Sequence, residues 1–155
     1  MKIKFVLNGK EIETEAPPNM TLADFLHDIM GLTGVKKGCD TGECGACTVL
    51  LNDKPITSCL VLAPQVNGKD VKTIEYISRT ELGSRIVDAF KQTDSVQCGY
   101  CIPGMITTAY ALISSKRASE DEAIKEYMSG NICRCGGYVN QLKAIKFVLN
   151  LEDSL

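Results

Sequence analysis

Twelve residues, GCDTGECGACTV from Gly38 to Val49, restrict this chain more than any other stretch. They carry Cys39, Cys44 and Cys47, with four residues between the first pair and two between the second. Cys59 follows after a gap of eleven residues. Three thiols from one loop and a fourth from further along is the spacing that holds a [2Fe–2S] cluster. The glycines explain how a loop does this. Gly42 and Gly45 allow tight turns and positive φ, so that backbone N–H groups face the sulfurs. A lone cysteine is more often a small buried hydrophobe. Four in this order, in a glycine-rich loop, read as a metal site.

The chain has eight cysteines, and the other four form a second set. Cys98-Gly-Tyr-Cys101 precedes one predicted helix, and Cys133-Arg-Cys135 precedes another. Helix N-termini present free N–H groups and a positive dipole end, which favour thiolates. Four thiolates at two such helix starts suit an iron–sulfur cluster or a zinc ion. Zinc sites more often use Cys-x2-Cys twice, and a Cys-x-Cys pair is tighter than that.

Disulfides are the competing use of so many thiols. The start, MKIKFVLNGKE, has only a short apolar run, broken by Lys4, and no small-residue cleavage site. No run reaches the ~18 apolar residues of a membrane span. A cytoplasmic location is therefore expected, and cytoplasmic thiols bind metal rather than pair. The net charge of −2 and pI near 5.5 give no reason to expect nucleic acid or an anionic membrane surface. With eight thiolates on two oxidised clusters the charge would be about −6.

The expected fold class is α+β. Lys2–Leu7 and Lys10–Glu15 read as strands joined by an Asn8-Gly9 hairpin turn. Thr21 with Asp24 marks a helix start, with Leu22, Phe25, Leu26 and Ile29 on one face. After the cysteine loop, strands are expected at Thr48–Leu51, at Ile56–Val61 with Cys59 inside it, and at Val71–Ile74. This is a β-grasp, ferredoxin-like pattern. Four helices should follow: Glu81–Gln92, one from Pro103 to about Ser115, one opened by a Ser119/Glu122 capping box, and Val139–Leu149. They make a small four-helix bundle. The division falls into residues 1–76, a plant-type ferredoxin domain, and 77–155, a helical cluster-binding domain.

Two strings, QCGYCIPGM (Gln97 to Met105) and GNICRCGGY (Gly130 to Tyr138), carry a resemblance. With GCDTGECGAC and the order of all eight cysteines, the chain resembles the iron–sulfur subunit of the molybdenum hydroxylase family. That family includes xanthine dehydrogenase, aldehyde oxidoreductase, carbon monoxide dehydrogenase and nicotinate dehydrogenase. The resemblance spans essentially the whole chain and implies two [2Fe–2S] clusters. Cys98, Cys101, Cys133 and Cys135 would hold the cluster near molybdenum. Cys39, Cys44, Cys47 and Cys59 would hold the distal, flavin-side cluster. Gln97 and Cys135 would meet the molybdopterin. The molybdopterin, alone or as a dinucleotide, would sit on a large partner subunit, and FAD on a flavin subunit of a hetero-oligomer. The chain would be the electron-transfer part of an oxidoreductase and would have no catalytic residue of its own. A free-standing ferredoxin-type carrier is the alternative. The family commonly has Thr where Ile102 and Gly136 stand, so two possible hydroxyl donors near Cys101 and Cys135 are missing.

The remaining residues read more plainly. His27, the only histidine, is expected on a solvated helix face. Arg134 offsets cluster charge or is a surface cation, and Tyr100 and Tyr138 are expected to pack around the second set of cysteines. There is no P-loop, GxGxxG or Ser–His–Asp motif. The substrate is not written in these residues.

Overall fold

A computed structural model describes residues 1–117 and 120–150. The first hairpin forms as expected. Strand β1 (Lys2–Leu7) pairs antiparallel with β2 (Lys10–Glu15), and Asn8 and Gly9 take φ of 52° and 80°. Two positive φ values match the right-handed twist of the strands, which is why Asn-Gly suits the turn. Ile3, Phe5 and Leu7 alternate into the core.

Strand β3 (Thr48–Leu51) turns through Asn52 and Asp53, again at positive φ, into β4 (Lys54–Thr57). Strand β5 (Asp70–Lys72) completes a five-stranded sheet in the order β2-β1-β5-β3-β4, with β1 and β5 parallel. Pro55 lacks an N–H and lies in the edge strand β4, where one missing ladder bond is tolerated.

Three expectations change here. The strand expected through Cys59 ends at Thr57, and Ser58–Leu60 form a 3₁₀ turn. Buried Ser58 makes that turn by donating its hydroxyl to the Cys47 carbonyl at 2.7 Å. The last strand stops before Thr73, whose N–H donates to the Asn8 side chain at 2.8 Å, and Ile74 opens a helix instead. The first helix, α1 (Leu22–Asp24), runs into a π-helical turn over Phe25–Ile29. Thr21 caps it by accepting from the Asp24 N–H at 3.1 Å. The wider turn rotates the following residue off the buried face. Leu22, Phe25 and Leu26 are fully buried, but Ile29 is 53% exposed. Each of those buried side chains contributes about 1.5–3 kcal/mol.

The second half is helical. After a one-turn helix α2 (Ile74–Ile77) come α3 (Glu81–Gln92), α4 (Ile102–Ser114), α5 (Asp121–Met128) and α6 (Tyr138–Leu149). Thr80 caps α3 by accepting from the Gly83 N–H. Pro103 sits in the first turn of α4, where its missing N–H costs nothing. Ser119 lies outside the described residues, and Glu120 occupies the N-cap of α5. Buried Lys146 of α6 pairs with Asp121 at 2.9 Å and ties the two helices together.

Two apolar cores result. One, around Phe5, Phe25 and Val49, sits beneath the sheet, with the rings of Phe5 and Phe25 tilted 56° at 6.4 Å. The other gathers Ile86, Phe90, Met105, Leu112, Ile124 and Ile145, and Leu50 of β3 inserts into it. The sheet and the helices are therefore packed together through β3 and α4. Among the described residues no helix is long and apolar enough to cross a membrane.

Candidate metal centres

The first cysteine loop joins the π-helical turn to β3. Its backbone aims N–H groups at one sulfur: Thr41 and Cys44 donate to Cys39 Sγ at 3.4 and 3.3 Å. Gly42 and Gly45 reach φ of 82° and 69° to allow this. Gly38 is needed for space, because a Cβ there would lie 2.8 Å from Cys44 Sγ. The Thr41 side chain and N–H, with the Cys44 N–H, pull the Cys39 thiol down to about 6. Burial pushes Cys59 up to about 11, with Cys47 beside it adding to the rise. Burial also raises Cys44, and a hydrogen bond with the Cys39 thiol adds to the rise. The loop thus holds two thiol pairs, Cys39 with Cys44 and Cys47 with Cys59. The second pair is buried and the first half-exposed.

The second set is built the same way. Cys101 is the N-cap of α4, and Cys133 and Cys135 lead into α6 through Gly136 and Gly137. Gly137 donates to Cys133 Sγ at 3.5 Å, and the Cys133 N–H donates to the Tyr138 hydroxyl at 2.7 Å. Burial pushes Cys101 up to about 12, helped by the adjacent Cys133 thiol. The Tyr100 N–H lowers Cys98, helped by a hydrogen bond with the Cys135 thiol. The pairs are Cys101 with Cys133, buried, and Cys98 with Cys135, exposed. Gln97 donates its side-chain N–H to the Cys135 carbonyl at 3.3 Å, at the exposed edge of the set.

The thiols stand as two pairs in each set. A zinc ion takes its thiolates around one centre, whereas a [2Fe–2S] core takes a pair on each iron. The inward-facing N–H groups suit the negative charge of such a core. The residues present fit two such clusters.

The two sets are joined by backbone. The Ile132 N–H, one residue before Cys133, donates to the Cys44 carbonyl at 2.9 Å. Buried Asn131 braces that contact: its amide donates to the Gly45 carbonyl at 3.0 Å, and its oxygen accepts from Thr108 at 2.7 Å. Gly104 of α4 lies against the same carbonyl, where a Cβ would come within 2.3 Å of the Gly45 oxygen. Tyr100 adds a hydrogen bond from its hydroxyl to the Lys37 carbonyl. Asn131, Gly104 and Ile132 were not singled out by sequence for this role. In sequence, Gly130 followed by Asn131 is an ordinary helix stop.

Other expected residues take their places. Tyr138 meets the second set through Cys133, and Tyr100 reaches across to the first loop. Arg134 is exposed. His27 is paired with Asp28 at 2.7 Å and lies on no thiol pair. Lys37 is bound to Asp24, whose carboxyl it holds below the usual range. Gly136 takes φ of 79°, a shape that a β-branched residue resists and glycine adopts freely.

Comparison with known proteins agrees with this geometry. A 2Fe-2S iron-sulfur cluster binding domain profile matches residues 5–73, and a [2Fe-2S] binding domain profile matches residues 73–146. The nicotinate dehydrogenase small FeS subunit of Eubacterium barkeri is 42% identical over 95% of this chain and 94% of its own. The aldehyde oxidoreductase iron-sulfur-binding subunit PaoA of Escherichia coli K12 is 40% identical over 94% of this chain and 70% of its own. The crystal structure of quinoline 2-oxidoreductase from Pseudomonas putida 86 superposes with a TM-score of 0.88, at 41% identity, over 94% of this chain and 90% of the matched one. Two cluster-binding domains in this order, over nearly the full length of such relatives, place the chain in the iron–sulfur subunit family of the molybdenum hydroxylases.

Proposed function

We propose that this chain carries electrons, one at a time, from a molybdenum centre on a large partner subunit to FAD on a second partner. Cys98, Cys101, Cys133 and Cys135 hold the molybdenum-side [2Fe–2S] cluster. Cys39, Cys44, Cys47 and Cys59 hold the flavin-side one. When bound, the clusters supply one-electron oxidation and reduction. The chain's own residues set the spacing, aim N–H groups at sulfur and exclude water from the buried pair in each set. Gln97 and the edge of Cys135 meet the molybdopterin. The working division is residues 1–76 and 77–155, and the complex acts in the cytoplasm.

The observation that carries this reading is the Ile132-to-Cys44 hydrogen bond, which leaves only main chain and one bond between the two thiol sets. Each set also has an exposed pair or edge with apolar neighbours. Val96, Tyr100, Ile132 and Tyr138 flank Cys98 and Cys135, while Leu60, 62% exposed, follows Cys59. Apolar groups at both ends suit two fixed partners better than the passing contacts of a free carrier. Purification of the tagged chain from its native cells tests this. A large molybdenum subunit and a flavin subunit are expected at fixed stoichiometry. Recovery of the cluster-loaded chain alone would favour a free-standing ferredoxin-type carrier.

A further inference from the structure

Among the described residues, two buried side-chain atoms have no hydrogen-bond partner: Asp70 Oδ1 and Gln141 Nε2. Asp70 keeps its other oxygen 3.1 Å from Lys72. Gln141 is 3% exposed, and its Nε2 carries two N–H groups that meet no acceptor. A buried donor left in this state costs its full desolvation penalty. A Leu or Ile would fill the same place on α6 without that cost.

The position of the amide indicates what it is for. Gln141 lies in the opening turns of α6, and helical side chains lean toward the helix N-terminus. Its amide reaches back over Gly137, where a Cβ would lie 3.1 Å from Nε2. Gly137 is the residue whose own N–H donates to Cys133 Sγ. Glycine at 137 therefore leaves room for the buried amide beside the residue that bonds Cys133 Sγ. Gln141 also lines a cavity of about 270 Å³ walled mainly by apolar side chains, among them Met105, Ile124, Met128, Leu142 and Ile145.

We propose that Gln141 donates an N–H to sulfur of the cluster held by Cys98, Cys101, Cys133 and Cys135, and so raises its reduction potential. This rests on the assignment of a [2Fe–2S] cluster to that set. Hydrogen bonds to cluster sulfur stabilise the more negative, reduced form. Gln141 acts through the sulfur and is a positioning residue, not a ligand.

The test is an EPR redox titration of the purified complex, wild type against Gln141→Leu. Leucine keeps the bulk and suits the apolar wall. The molybdenum-side cluster should become harder to reduce, while the flavin-side cluster, whose thiols lie outside α6, keeps its potential as an internal reference. An unchanged or raised potential in Gln141→Leu overturns the proposal. If that variant fails to load, a Gln97→Leu complex labelled with nitrogen-15 in glutamine side-chain amides decides. Pulsed EPR of its reduced cluster should show a nitrogen-15 coupling from Gln141, and no coupling overturns the proposal. Absence of a second cluster signal in the wild type would refute the cluster assignment itself. A second cluster indifferent to Gln141 refutes only the donor.

Discussion

Cys44→Ala is expected to stop flavin-dependent turnover in the assembled complex while leaving reduction of the molybdenum centre by substrate intact. Cys44 belongs to the half-exposed thiol pair of the first loop. Its removal leaves Cys39 alone on one side of the site, with N–H donors still aimed at its sulfur. Changing even an outer hydrogen-bond partner of a metal site costs 10–100-fold in metal affinity, so losing a thiolate should lower cluster retention by more than about 100-fold. The second set has its own core around Phe90, Met105 and Ile145, so it should keep its cluster. Rapid substrate-only reduction, followed by molybdenum EPR, separates the two events. Normal flavin-dependent turnover in an assembled variant without the first cluster would refute the assigned order.

Gly104→Val should do its damage at the joint between the two sets. A Cβ at Gly104 meets the Gly45 carbonyl oxygen at 2.3 Å and the Ala46 Cα at 3.3 Å, both backbone. That carbonyl has little freedom to retreat, because it also accepts from the Thr48 hydroxyl at 2.6 Å and from Asn131 at 3.0 Å. Helix α4 and the loop must therefore separate, exposing or orphaning the buried Asn131 amide. Overpacking costs about 1–3 kcal/mol and an orphaned buried amide about 1–3 more, so a loss of about 4 kcal/mol is expected. For a chain of this size that lowers the Tm by about 10 °C. Calorimetry of the cluster-loaded complex checks it, and a Tm within a degree or two of wild type would show that the joint yields more easily than its hydrogen bonds imply.

The sequence revealed what depends on neighbours along the chain. The Cys39–Cys47 spacing, the Asn8-Gly9 turn and the Glu81 and Pro103 helix starts are local, and the structure keeps them. The placement of Cys59 was not legible, because the 3₁₀ turn there is made by Ser58 bonding back to Cys47. The outward turn of Ile29 follows from π winding that a 3.6-residue period does not register. The joint itself was invisible. Asn131 and Gly45 are 86 residues apart, and nothing near Asn131 distinguishes a helix stop from a buried brace. Gln141 was hidden for a related reason: a polar residue within a mostly apolar helix face reads as solvated until its burial is known.

The central claim is that one chain holds two separate [2Fe–2S] clusters, one in each thiol set. Iron analysis with EPR of the fully reduced wild-type complex tests it most directly. The account predicts about four irons per chain and two distinguishable reduced-cluster signals, of which Cys44→Ala removes one and Cys101→Ala the other. Half that iron with a single signal, or zinc in the second set, would contradict it.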